Sequence, residues 1–140
     1  FGFQLMAIAY VRSALGKLKA NSTEIDPNTN FPIVVKTNAL RVGMKPTIDM
    51  WGSQQVESFW HNYKINNEYL SHFVNDWKFT QTYDSDLGES VVDYLFYKPA
   101  LDNDSVHWGV QFHPEYQNSK DKPHYVLKYF LEVCKLRSKK

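Results

Sequence analysis

A chain of 140 residues has room for one domain of modest size, and an apolar fraction of 43%, with 9 Phe, 9 Tyr and 4 Trp, can fill a core. With 16 Lys and Arg against 15 Asp and Glu the formal charge is +1, so composition makes no electrostatic case for a nucleic acid or a membrane surface. The single cysteine excludes an internal disulfide and fits a reducing compartment; with no membrane-length apolar run and no signal peptide, a soluble cytoplasmic protein is expected.

Residues 3 to 18 place Leu5, Ile8, Ala9 and Arg12 on one side at helical spacing, with Met6, Val11 and Leu15 nearby and Gly16 as the stop. Segment 20 to 32 is rich in Asn, Ser, Thr, Asp and Pro and reads as a loop. Phe31 to Lys36 reads as a short strand built on Ile33, Val34 and Val35. Residues 67 to 77 suit a helix capped by Asn66 or Asn67, with Tyr69, Leu70, Phe73, Val74 and Trp77 at helical intervals. Phe79 to Tyr83 and Val91 to Tyr97 read as strands joined by a polar turn at Asp84, Ser85, Asp86 and Gly88. Asp84, Asp86 and Glu89 lack the pattern of a calcium loop and are read as turn residues; no metal site is expected. A second turn, Asp102 to Ser105, leads into the next strand.

That strand carries the chemistry. His107 to Tyr116 is an apolar and aromatic run that breaks off at His113-Pro114-Glu115. The pattern describes a buried strand that delivers an imidazole and a carboxylate to its C-terminal edge, where open α/β sheets keep their ligands. Pro114 biases His113 toward extended backbone, and Glu115 can hold one tautomer of the ring so that the other nitrogen acts as a base. The last helix, about 123 to 136, puts Val126, Phe130, Val133 and Arg137 on one flank with Leu127, Leu131 and Cys134 beside it. Cys134 is therefore expected in the core, while Lys135, Arg137, Lys139 and Lys140 suit a helix C-terminus.

Gln111-Phe112-His113-Pro114-Glu115-Tyr116 resembles the C-terminal signature of the class I glutamine amidotransferases, whose triad is Cys, His and Glu. Within that family, Ala20 to Asn28 resembles a segment of the CTP synthase glutaminase domain. The opening Phe1-Gly2-Phe3-Gln4-Leu5-Met6 resembles the family's nucleophile elbow, in which the cysteine stands immediately before the residue matched by Phe1. By this resemblance residues 1–140 form a single domain, the C-terminal part of a glutaminase domain that begins just after its nucleophile. The implied fold is α/β and flavodoxin-like: a mainly parallel sheet with flanking helices, an antiparallel portion at 79–97, and an incomplete N-terminal side that leaves a sheet edge for a partner segment.

The implied reaction is hydrolysis of glutamine to glutamate and ammonia, the ammonia then aminating UTP in a synthetase domain. His113 and Glu115 take the catalytic places, and Phe1, Gln4, Glu24, Asn62 and Tyr63 the substrate-binding ones. Phe1 would supply one oxyanion donor through its N–H, and Glu24 would hold the substrate amino group. Arg41 keeps a family arginine in a shortened Asn38 to Gly43 loop that lacks the family's paired glycines. In Glu57-Ser58-Phe59-Trp60-His61-Asn62-Tyr63, Asn62 stands where the family has the arginine that binds the substrate carboxylate. An amide brings neither charge nor a bidentate fork, so a contact worth ~1.5–3 kcal/mol is missing and glutamine should bind more weakly or not at all. His61 matches a family histidine, but a lone histidine beside aromatics is more often structural, and that is the reading preferred for it. The resemblance implies no cofactor in this domain, ATP and Mg in the synthetase domain, an upstream glutaminase segment as partner, and a homo-oligomer formed through the synthetase. It also leaves an alternative, a catalytically degenerate glutaminase-like module with a structural or regulatory role, which Asn62 and the clipped loop favour.

Overall fold

The computed structural model describes residues 1–98 and 107–138; the turn expected at Asp102 to Ser105, the side chain of Arg137, and Lys139 and Lys140 lie outside the described residues. The first helix, α1, spans Gly2–Ala14. It stops where Gly16 takes φ +65°, a conformation open to glycine, and the Lys17 N–H turns back to the Val11 carbonyl at 3.3 Å. Its buried face is Phe3, Gln4, Ala7, Ile8, Tyr10 and Val11. Leu5 and Ala9, expected on that face with Ile8, are exposed, and Arg12 instead donates from Nε to the Ala20 carbonyl at 2.7 Å. The aromatics decide the rotation: burying Phe3 and Tyr10 removes more surface from water than burying Leu5 and Ala9.

Ala20–Ser22 forms a short strand, β1, where a loop was expected; it lies parallel to β2, Phe31–Ile48, which pairs antiparallel with β3, Gln54–Ile65. β2 runs well past Lys36, its register shifting between Lys36 and Arg41, so the Asn38 to Gly43 stretch is strand and not a loop. The hairpin closes on Asp49, whose carboxylate accepts from the N–H groups of Trp51 and Ser53 at 2.9 Å each, with Gly52 at φ +87°. After β3 the expected helix shrinks to a 3-10 turn, Asn67–His72, capped by Asn66, whose side chain accepts from the Glu68 N–H at 3.1 Å. Trp77 pairs with Tyr97 in a sheet, and this tertiary contact overrides the helical spacing; Val74 is left exposed.

The second sheet is antiparallel throughout: β4, Trp77–Asp84, then β5, Glu89–Tyr97, then β6, Trp108–Val110. The β4–β5 turn falls where expected, with Gly88 at φ +67°. A mainly parallel sheet does not hold among the described residues, because the β2–β3 and β4–β5 connections are too short for crossovers and only β1–β2 is parallel. β6 presses on α1 at Gly109, where an added Cβ would meet Met6 Cε at 3.0 Å and Phe3 Cδ2 at 3.2 Å.

The main core lies between α1 and both sheets, with Ile8, Val11, Ile33, Val34, Ile65 and Leu95 at its centre. A smaller cluster of Phe59, Tyr94, Phe112 and Val126 sits behind the His113 stretch. Val126 belongs to the second helix, α2, Tyr125–Arg137, which docks by its first turns: Tyr129 packs against Trp51 at 5.4 Å and Trp108 at 6.0 Å. Beyond them Phe130, Leu131 and Leu136 are exposed, and so is Cys134. The expected burial of Cys134 is therefore wrong; Val126 and the aromatic pair Tyr125 and Tyr129 face the body, while Phe130, Leu131 and Cys134 do not. Among the described residues no helix is long and apolar enough to cross a membrane.

Candidate active site

After β6 the chain crosses from one sheet to the other. The Gln111 N–H donates to the Asp93 carbonyl on β5 at 2.9 Å, and the His113 N–H to the Ser58 carbonyl on β3 at 2.8 Å. Two residues apart, these bonds hold the His113 backbone between both sheets before Pro114 opens a 3-10 turn, Pro114–Gln117. Glu115 lies in that turn, and its Oε1 is 2.7 Å from His113 Nδ1. A carboxylate acceptor favours the proton on Nδ1 and leaves Nε2 with a lone pair. Partial burial raises the Glu115 carboxyl pKa, but its own backbone N–H and the His113 ring outweigh this and hold it below the ordinary glutamate value. Tyr116 stacks on the His113 ring with centroids 4.9 Å apart. Two neighbours thus fix a ring that remains one-third exposed.

His113 opens onto a cavity of about 300 Å³ whose wall includes Phe1, Gln4, Glu24, Asn62 and Tyr63. The site residues expected from sequence come together here, contributed by the start of α1, the segment after β1, and β3; Glu115 stands behind His113 rather than on the wall. Gln4 is buried, and its Nε2 donates to the Tyr63 carbonyl at 3.0 Å and to Gln111 Oε1 at 3.4 Å. Those bonds tie α1 to β3 and to the His113 stretch. Glu24 and Asn62 are exposed and lie on the wall.

The Tyr63 carbonyl also faces His61 Nδ1 at 2.8 Å, so that nitrogen must donate and Nε2 is the acceptor. Nε2 is buried without a hydrogen-bond partner among the described residues. Burial is the main cause that pushes the His61 pKa down to about 4, helped by the charges of Arg41 and His113 and opposed by the Tyr63 carbonyl and Asp84. His61 is therefore a neutral ring on the cavity wall at pH 7. Its folded pKa lies below the unfolded value near 6.5, so the unfolded chain binds its proton first and stability is lost as pH falls between the two. The loss between about pH 7 and about pH 4.5 is expected to be ~2–3 kcal/mol for this group, read as a falling urea midpoint. In His61→Gln that part of the pH dependence should vanish; an unchanged slope would show that His61 is not buried neutral.

Beneath the cavity Arg41 was missed as the element that joins the sheets. Its Nε is 2.9 Å from Asp84 Oδ2 and its Nη1 2.5 Å from Asp93 Oδ1, and its Cζ lies 3.7 Å over the Phe59 ring. Thr47 adds a 2.6 Å bond to Asp93 Oδ2. The available signal was Asp93 itself, a lone acid inside the apolar run 91–96, which requires a buried cation. Gln111 was the other omission; it stands in the motif, and its tie to Gln4 gives it a place in the site. Among the described residues no cluster of three or more His, Cys, Asp and Glu side chains could hold a metal ion.

The fold and the sequence are matched elsewhere. The family model described as glutamine amidotransferase class-I matches residues 1–133. CTP synthase of Aquifex aeolicus is 31% identical over 159 residues, covering 95% of this chain and 28% of that protein; CTP synthase of Thermotoga maritima is 29% identical, covering 94% and 28%. The chain thus spans little more than a quarter of the length of these relatives. A structure of the Trypanosoma brucei CTPS glutaminase domain with bound acivicin superposes with a TM-score of 0.81 at 19% identity, over 94% of this chain and 56% of that one. That likeness shows the α/β fold, and the family match adds the lineage: this chain belongs to the class I glutamine amidotransferases.

Proposed function

We propose that this chain contributes the histidine and carboxylate of a glutaminase site that hydrolyses glutamine to glutamate and ammonia, in a CTP synthase that uses the ammonia to convert UTP to CTP. The observation that carries the reading is the 2.7 Å pairing of His113 with Glu115 at the edge of a cavity shared with Gln4 and Glu24. In this chemistry a thiolate adds to the carboxamide carbon, and His113 Nε2, protonated by that thiol, passes the proton to the leaving ammonia. His113 then deprotonates the water that cleaves the thioester and releases glutamate. Glu115 keeps the ring aligned through both steps.

The N–H of Phe1, at the head of α1, would face the oxyanion, where the helix dipole adds to the stabilisation. Glu24 would hold the substrate ammonium, with Gln4, Asn62 and Tyr63 lining its remaining surface. The thiol belongs to the residue that the family motif places before Phe1. An upstream glutaminase segment, a synthetase domain carrying ATP and Mg, assembly into a homo-oligomer through that domain, and a cytoplasmic setting complete the reading. The test is to supply the full natural protein with UTP and ATP and measure glutamate and CTP. Glutamate release coupled to CTP formation is expected; amination from added ammonia with no glutamate from glutamine would establish the degenerate module instead, which Asn62 favours.

A further inference from the structure

The turn that carries Glu115 is not held by packing. None of the residues Pro114–Gln117 is buried, and Glu115 and Tyr116 are exposed. A cavity of about 330 Å³ is lined by Gln117 together with residues 55–57 of β3 and 122–125 beyond the turn. A turn without a buried side chain takes its place from hydrogen bonds. The Gln117 side chain supplies them: its Nε2 donates to the Val56 carbonyl and to Glu57 Oε2, at 3.3 Å each. With the His113 N–H on the Ser58 carbonyl, both ends of the turn are therefore pinned to three consecutive residues of β3, and Glu115 lies between the pins.

Glu57 is 1% exposed, and the chemistry at His113 makes no use of it. A second donor meets it. His124 Nδ1 accepts from the Val126 N–H at 3.2 Å, so the ring proton sits on Nε2, which donates to the same Glu57 oxygen at 2.8 Å. The His124 N–H in turn donates to Asn118 Oδ1 at 2.9 Å, beside Gln117. One buried carboxylate oxygen thus gathers the end of the turn and the start of α2. Leaving such an acceptor unpaired is costly, so both donors stay in place.

We infer that Glu57 and Gln117 are positioning residues of the His113 site: Glu57 holds Gln117, Gln117 closes the turn, and the closed turn keeps the Glu115 carboxylate on His113 Nδ1. The effect on rate rests on the glutaminase reading, whereas the effect on the geometry of the pair does not. The experiment compares Gln117→Met, Glu57→Leu and Glu57→Gln in the full natural protein, by CTP formation from glutamine and from ammonia and by crystal structures. Gln117→Met keeps the side-chain length and removes the donor at a half-buried position, so the core is untouched.

In Gln117→Met the kcat with glutamine is expected to fall about tenfold, with KM for glutamine changed less than about twofold and the ammonia reaction unchanged. Glu115 Oε1 should move beyond about 3.5 Å from His113 Nδ1. Glu57→Gln should recover most of the rate lost in Glu57→Leu, because both donors converge on one oxygen and an amide also offers one. A glutamine-driven kcat within about twofold of the unsubstituted protein, a loss shared equally by the ammonia reaction, or a rise in KM at unchanged kcat would overturn the inference and leave the glutaminase reading standing. Equal losses in Glu57→Leu and Glu57→Gln would remove Glu57 from the role. If the unsubstituted protein releases no glutamate from glutamine, the glutaminase reading fails, and the crystal structures then decide the inference: an unmoved Glu115 in Gln117→Met overturns it too, and a displaced one leaves Gln117 as the holder of the pair.

Discussion

His113→Ala in the full natural protein is expected to lower glutamine-dependent CTP formation by a factor of about 10²–10⁴ while leaving formation from added ammonia unchanged. The imidazole at the cavity edge has a ring nitrogen that can receive and return a proton, and Glu115 at 2.7 Å with Tyr116 stacked behind it holds the ring in one orientation. Alanine removes the imidazole without disturbing the backbone, because the His113 N–H to Ser58 bond is a main-chain contact. The ring is partly exposed, so no buried void follows its removal. The two nitrogen sources make the experiment decisive. Proportionate loss with glutamine and with ammonia would mean a general structural defect and would remove His113 from the glutaminase role.

Arg41→Met is expected to destabilise the folded chain by ~3–5 kcal/mol, a large fraction of the ~5–15 kcal/mol that holds a typical domain together. Asp84 and Asp93 enclose the guanidinium from β4 and β5 while Arg41 itself stands on β2, so one side chain bridges two acids at the junction of the sheets, with Lys45 3.8 Å from Asp84 beside it. Burial pushes the Asp93 carboxyl above the ordinary aspartate value even with Arg41, Thr47 and Thr82 pulling it down; for Asp84, burial is outweighed by Arg41 and Lys45, and the carboxyl sits below that value.

Without Arg41 the Asp93 pKa should climb further. A carboxyl raised in the folded state binds protons there more readily than in the unfolded chain, so its cost to stability grows as pH rises above the unfolded value near 3.9. The deficit of Arg41→Met measured by urea unfolding should therefore shrink toward about pH 4. Adding Asp93→Leu should recover part of the loss at neutral pH, because an apolar side chain has no charge left to satisfy. A deficit below ~1 kcal/mol, or one independent of pH, would mean that the cluster is solvated rather than buried.

The two inverted strands explain what the sequence hid. On the outer half of the first hairpin the inward side chains include Arg41, Thr47 and Glu57, while Val42, Met44, Ile48, Val56 and Trp60 point outward. Apolar-in, polar-out alternation is the signal by which a half-buried strand is recognised, and here its sign is reversed because the interior holds an ion cluster. Arg41 to Ile48 was consequently invisible as strand, and the polar 20–22 stretch was missed because three residues carry no period. Residues 67 to 77 failed in the opposite way: a good helical spacing gave way to the pairing of Trp77 with Tyr97. In the last helix, spacing alone could not tell which apolar residues would find partners, and Val126 with the aromatic pair Tyr125 and Tyr129 did.

By itself the sequence determined the α/β class, the β4–β5 hairpin with its Gly88 turn, the helices at both ends, and the His113-Pro114-Glu115 pair, since each depends on residues close together in the chain whose backbone preferences and spacing act locally. The motif resemblance went further and marked Phe1, Gln4, Glu24, Asn62 and Tyr63 as one site, which chain distance alone would never have joined. Only the tertiary structure decided that the sheets are antiparallel outside β1–β2, that α1 turns its aromatic side inward, that Cys134 lies outside, and that Arg41 closes the junction beneath the cavity. Those outcomes follow from which buried charges and large rings find partners across the fold, an energy set by contacts tens of residues apart and absent from any local pattern.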